Sequence, residues 1–239
     1  MGNILPLELI ARMVVNLRDQ VCSSDIGGTG TLVACSDRPF VLTAKHVADD
    51  ISINDNIVVK DDDDRPLTIP IKKLVEKSSL DWKAHSEADL AAFELFPQDS
   101  QTGASLKNRF LPLEFFSEEK SAPARELILT SIGFPLGLGT QGYFSPLTFE
   151  SKASSGFLTL PRGDTRTPQT FFALENPSVG GYSGCPIVDL SVFKAGSMTT
   201  TGNGTCFYGV MHGTISDKTG GKIAMVTPSY YVHELIESF

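Results

Sequence analysis

The spacing of apolar residues changes character once along the chain, near residue 20. Over residues 5–19, Leu7, Ile10, Ala11, Val14 and Val15 recur at helical intervals while Glu8, Arg12 and Arg18 fall elsewhere, which predicts an amphipathic helix. Beyond it the apolar residues come in short runs broken by Gly, Pro and Asp. Residues 31–35 and 40–43 flank the turn cluster Ser36-Asp37-Arg38-Pro39 and predict a β-hairpin. Residues 51–60, 67–71 and 90–96 extend this group. An acidic stretch with proline at both ends, residues 112–123, reads as a connection. A second series of short runs follows at 126–133, 142–148, 156–160, 170–174, 186–192, 205–211 and 223–226. In the last segment, residues 229–238, Tyr231, Leu235 and Ile236 share one side after Pro228, which predicts a terminal helix. The pattern divides the chain into a helical extension (1–19), a first β-rich half (20–112), a connection (113–125), a second β-rich half (126–228) and a C-terminal helix (229–239). Short strands punctuated in this way belong to a barrel or sandwich class.

Composition narrows the function. With 41% apolar residues the chain is globular, and a formal net charge of −8 argues against nucleic acid or an anionic membrane as partner, since phosphates would be repelled. No apolar run reaches membrane-spanning length. Glu8 and Arg12 interrupt the apolar N-terminal residues, and Pro6 departs from a myristoylation pattern, so the expectation is a cytoplasmic protein with reduced thiols. Cys22, Cys35, Cys185 and Cys206 lack metal-site spacing and read as core thiols. If the runs at 186–192 and 205–211 pair as a hairpin, Cys185 falls opposite Met211 or His212 and Cys206 near Leu190, about 17 Å apart and beyond disulfide reach.

Three short segments carry the chemistry. Phe40-Val41-Leu42-Thr43 leads into Ala44-Lys45-His46, a strand ending in a histidine. Asp89 opens the run Leu90-Ala91-Ala92-Phe93. Ser183 lies between glycines in Gly180-Gly181-Tyr182-Ser183-Gly184. A serine hydroxyl is a poor nucleophile at neutral pH; it needs a base, and the base needs an acceptor on its other nitrogen. His46 supplies the base, Asp89 the acceptor and Ser183 the nucleophile. The amides of Gly181 and Ser183 are the candidate donors to a tetrahedral oxyanion. Asp81 competes with Asp89 for the acid, but no strand follows it. His85, among polar residues, reads as a surface histidine, and His233 as structural. Asp61 to Asp64 lack the alternation of a calcium loop and read as a solvated hairpin tip.

These segments resemble the trypsin/chymotrypsin-fold serine proteases, more the bacterial HtrA-type and glutamyl-endopeptidase branches than the digestive enzymes. Thr43-Ala44-Lys45-His46-Val47, Asp89-Leu90-Ala91 and Gly181-Tyr182-Ser183-Gly184 match the family's three motifs in order, at gaps of 43 and 94 residues. Gly133-Phe134-Pro135-Leu136-Gly137 resembles the motif that opens the second barrel, and Tyr208-Gly209-Val210-Met211-His212-Gly213 the substrate-lining strand. The likeness spans residues 20–239. It implies an all-β fold of two six-stranded antiparallel barrels, with the helices at either end. It also implies an endopeptidase acting on polypeptide, with no cofactor and no metal. Ser178, Val179 and Gly180, together with Met211, His212, Gly213 and Thr214, would then border the specificity pocket. Strand alternation puts either Met211 or His212 into it; the other reading for His212 is a bond to the catalytic loop. The residues at 176–180 include no acid, which argues against Arg/Lys specificity. Tyr182 stands where digestive members hold the acid that captures a freed N-terminus, so no N-terminal cleavage is expected. The loop is then ordered by its own packing, or by an activating partner or substrate. An esterase, and a catalytically silent module that binds a protein partner, are the competing readings.

Overall fold

The computed structural model describes residues 3–18, 27–76, 78–162, 165–195, 198–216 and 218–239; Cys22 and the boundary expected near residue 20 lie outside them. Two mostly antiparallel sheets hold the chain. The first is built from β1 (Val14–Arg18), β2 (Gly28–Cys35), β3 (Arg38–Thr43), β4 (Asn56–Lys60), β5 (Pro66–Pro70), β6 (Lys83–Ala84) and β7 (Ala91–Glu94). They run in the order β5-β4-β1-β2-β3-β7-β6, with β8 (Leu111–Pro112) added parallel to β2. The second comprises β9 (Leu129–Gly133), β10 (Leu147–Ser151), β11 (Leu158–Pro161), β12 (Pro168–Leu174) and β13 (Pro186–Asp189), then β16 (Cys206–Ser216) and β17 (Lys222–Pro228). Its order is β10-β9-β13-β16-β17-β12-β11; β14 (Val192–Ala195) and β15 (Met198–Thr201) form a separate hairpin. The expected two-part β architecture is present. The sheets have eight and seven strands rather than six each, and among the described residues their strand orders are open paths, not rings.

The predicted N-terminal helix is the main correction. Only one turn forms, α1 (Leu7–Ala11), and Val14–Arg18 is strand β1, paired with β2 on one side and β4 on the other. Val14, Val15, Asn16 and Leu17 are all buried, and two adjacent β-branched valines suit a strand covered on both faces better than a surface helix. The helical spacing was one helical turn and one strand read together.

At the other end, α3 (Tyr230–Ile236) forms as predicted. Its Tyr230, Tyr231, Val232, Leu235 and Ile236 join Phe40 and Leu42 of β3, Ile132 of β9 and Phe207 and Val210 of β16 in one apolar cluster. That cluster clamps the two sheets to each other. The acidic connection takes part: Leu113 and Phe116 are buried, and the Ser117 amide donates to the Phe207 carbonyl at 2.9 Å. No described helix is long and apolar enough to cross a membrane.

Candidate active site

Strand β3 stops at Thr43. Ala44 is still extended, and the next residues close the single turn α2 (Lys45–Asp49), so His46 sits on a helical turn rather than at a strand end. This turn points both the backbone and the ring of His46 at Asp89. The His46 amide donates to Asp89 Oδ1 at 3.0 Å, and Nδ1 lies 2.7 Å from Oδ2. Asp89 is 1% exposed, and its own amide donates to Gln169 Oε1 at 2.8 Å. Gln169 in turn donates to Thr227 Oγ1 at 2.9 Å, so β12 and β17 of the second sheet hold the acid of the first. The buried Arg162 guanidinium stands 3.9 Å from Oδ1. Burial alone would push the Asp89 carboxyl up; the hydrogen bonds from His212 and His46 outweigh it and hold the group well below the usual carboxylate range. Asp89 is therefore an anion, accepts only, and fixes Nδ1 as the protonated nitrogen of both rings.

His212 is the second ring, with Nδ1 2.5 Å from the same Oδ2. Its side chain bonds the acid and not the pocket, while its backbone carbonyl accepts from the Ser183 hydroxyl. A β-bulge lies here: Met211 pairs with Val226 and Gly213 with Met225, leaving His212 as the extra residue. Met211 lines a small cavity, and the bulged His212 side chain is aimed at Asp89. The ring packs at a tilt against Phe171, centres 5.0 Å apart, and lies edge-on to His46 at 5.6 Å. The Nδ1–Oδ2 contacts are those of charge-assisted N–H···O bonds.

Ser183 is held through backbone. Gly181 has φ +95° and Gly184 +86°, in the left-handed region that favours glycine. A Cβ on Gly181 would lie 2.5 Å from the Phe134 carbonyl oxygen, and one on Gly184 2.0 Å from that of Thr29. The Tyr182 amide donates to the Val179 carbonyl at 3.1 Å, closing a four-residue turn, and the Gly180 carbonyl accepts from the Leu136 amide at 2.7 Å. In a planar trans peptide the N–H points opposite to the C=O, so the Gly181 amide faces away from Leu136. Among the described residues neither the Gly181 nor the Ser183 amide donates to a protein acceptor. The Ser183 hydroxyl donates to the His212 carbonyl at 3.2 Å.

Thr29, which lies in β2 before the strand expected from residue 31, ties this loop to the first sheet. Its amide donates to the Ser183 carbonyl at 2.9 Å and its hydroxyl to the Gly181 carbonyl at 2.7 Å. That hydroxyl also accepts from the Phe134 amide at 3.0 Å, and the Thr29 carbonyl accepts from Thr43 Oγ1 at 2.7 Å. Tyr182 packs inward, edge-on to Phe149 at 5.4 Å, and its buried hydroxyl has no partner among the described residues.

Of the predicted pocket residues, Ser178, Val179 and Met211 line a small cavity with Ser131, Phe149 and Tyr182; no charged side chain lines it. The Thr214 hydroxyl donates to the Ser178 carbonyl at 3.0 Å. Gly213 lies beside the serine: a Cβ there would be 3.5 Å from Ser183 Oγ. Gly180 is exposed on the turn. Asp81 is exposed and lines a different cavity, with Glu76 and Phe96. His85 departs from the surface reading: its ring packs 5.0 Å from Tyr231, and Nδ1 accepts from the Ala88 amide at 3.0 Å. His233 is structural, with Nε2 on the Phe116 carbonyl at 2.9 Å. Asp61 caps the β4–β5 turn through the amides of Asp63 and Arg65. Cys35, Cys185 and Cys206 are free; Met211 N bonds Cys185 O, and Cys206 pairs with Asp189, one residue from the expected register.

No protein-family model and no curated protein matches this chain. Solved structures do. The protease domain of MamO from Magnetospirillum magneticum is 13% identical, with TM-score 0.63 over 96% of this chain and 98% of that one. The HtrA-type protease AlgW with tripeptide is 18% identical, with TM-score 0.59 over 97% of this chain and 61% of that one. The inactive form of the Rv3671c protease is 17% identical, with TM-score 0.58 over 100% and 98%. At these identities the likeness concerns architecture: the chain has the two-sheet, chymotrypsin-like fold of HtrA-type and trypsin-like protease domains.

Proposed function

We propose that the protein is a serine endopeptidase with His46, Asp89 and Ser183 as its catalytic residues. The observation that carries this reading is the pairing of a part-exposed His46, bonded through both ring and amide to the buried Asp89, with a serine loop whose Gly181 and Ser183 amides are unengaged among the described residues. Ser183 Oγ attacks the scissile carbonyl carbon while His46 Nε2 takes the hydroxyl proton. Asp89 stabilises the imidazolium, and the two amides receive the oxyanion. Collapse of the tetrahedral species expels the amine, which takes the proton from His46 and leaves an acyl-enzyme. Water then reverses the sequence and frees the acid. Residues 213–216 of β16 pair with β17 on one side and lie beyond the β13 pairing on the other. That edge suits an extended peptide added as a strand, and a peptide complex is what the AlgW structure contains.

The uncharged cavity beside the turn favours neutral side chains at the cleaved position over Arg or Lys, because a buried cation would lack a partner there. The silent, partner-binding reading draws on one observation, the Ser183 hydroxyl's bond to the His212 carbonyl. A hydroxyl has one proton, which must leave that acceptor for His46 before attack. A quenched peptide library decides between them. Hydrolysis after neutral residues by the native chain, absent in Ser183→Ala, supports the protease. A dominant Arg/Lys preference overturns the specificity, and equal inertness of both chains supports the silent module.

A further inference from the structure

Asp89 Oδ2 accepts from two imidazoles, one on the helical turn after β3 and one on β16. We propose that His212 is a positioning residue for His46, and that the two rings take up protons as a coupled pair through the carboxylate oxygen they share. This rests on the protease reading above.

The carboxylate is held on both oxygens. Oδ2 holds both ring N–H groups; Oδ1 holds the His46 amide and faces Arg162. These three hydrogen bonds fill most of the about four acceptor sites of an ionised carboxylate, and because both rings share Oδ2, a rotation of Asp89 alters its bonds to both. The plane that orients the base is thus set in part from β16. His212 is the extra residue of the β16 bulge, with its ring on Asp89 while the neighbouring Met211 lines the small cavity.

Protonation follows from the same geometry. Among the described residues, the ionisable groups facing His212 are Asp89, His46 and, across the carboxylate, Arg162; Phe171, Gln169 and Thr227 around the acid carry no charge. Either ring can take the first proton, since each faces the same anion. A second proton would set two cations with ring centres 5.6 Å apart, so it binds at lower pH than the first. In the singly protonated pair, the molecules that carry the proton on His212 keep His46 neutral and able to accept the serine proton. Only the second proton silences every molecule. The acid limb of kcat/KM should therefore fall in two steps, where a single histidine gives one.

The test compares the native chain with His212→Asn and His212→Ala. Asparagine places a neutral N–H donor near the position of Nδ1 and does not titrate; alanine removes the donor. His212→Ala should lose about ten- to a hundred-fold in kcat with KM little changed, the loss expected for one hydrogen bond to a charged group. His212→Asn should recover most of that and show a one-step acid limb. In parallel, the His46 Cε1–H resonance, followed by NMR in Ser183→Ala, should show two inflections with His212 present and one in the Ser183→Ala/His212→Asn protein. Superimposable pH profiles for native and His212→Asn, or a single inflection with His212 present, would overturn the proposal. Two inflections in a protein that hydrolyses nothing would support the coupled pair while overturning the protease reading, which keeps the two failures apart.

Discussion

His46 and Ser183 are positioned by opposite means. His46 is fixed by side-chain chemistry: one buried carboxylate holds its ring and its amide, and that carboxylate is itself held by His212 and, through its own amide, by Gln169. Ser183 is fixed by backbone: two glycines at positive φ, a tight turn, and a threonine whose hydroxyl and amide catch two loop carbonyls. The first arrangement sets charge and proton affinity. The second sets where two N–H groups point. Substitutions on the His46 side should therefore alter the chemical step with little effect on the loop, and substitutions on the Ser183 side should alter oxyanion stabilisation and loop order with little effect on the base.

Asp89→Asn should give the largest effect short of removing the nucleophile. The amide presents one acceptor and one donor where the carboxylate presented two acceptors, so the rings on Oδ2 lose their common anion. A fall in kcat of about 10⁴ is expected. A loss below tenfold would show that His46 is oriented by another group, and the two sides would not differ as described.

Gly181→Ala comes next. The substitution meets both an unfavourable φ of +95° and the Phe134 carbonyl, and it should turn the Gly180–Gly181 peptide. Loss of one oxyanion donor corresponds to about 10²–10³ in kcat. The acid limb of the pH profile should stay where it is, because the base is untouched; a shifted limb would show that loop and base are one coupled unit.

Thr29→Val sharpens the contrast at lower amplitude. It removes the hydroxyl that donates to Gly181 and accepts from Phe134, leaving two buried backbone groups without a partner. A stability loss of about 1–3 kcal/mol by urea unfolding is expected, together with reduced turnover. Thr29→Ser keeps both bonds and should recover both properties. Equal stability of all three chains would mean that Thr29 does not hold the loop.

What could be read from the sequence follows the same division. His46, Asp89, Ser183 and Gly181 stood out because each lies in a short local pattern whose chemistry is recognisable from neighbouring residues. The links between them did not. The bond from His212 to Asp89 spans 123 residues and starts from a bulge, neither of which an alternation of apolar and polar residues announces. Thr29 gave no cue, since its two side-chain bonds reach residues 134 and 181. In β1, Val14 to Leu17 read as helix because the apolar spacing of a single helical turn runs directly into a strand buried on both faces. Pairing across the chain, which a one-dimensional pattern does not contain, decided each of these cases.

The most direct measurement is covalent labelling by a fluorophosphonate, with the modified peptide located by mass spectrometry. The hydroxyl reacts readily only if a base takes its proton and two amides receive the developing charge, so one measurement reports both sides of the site. The geometry calls for stoichiometric labelling at Ser183 in the native chain, strong slowing in Asp89→Asn, and none in a folded Ser183→Ala. A native chain that stays unlabelled while correctly folded, or a label on a residue other than Ser183, would contradict it.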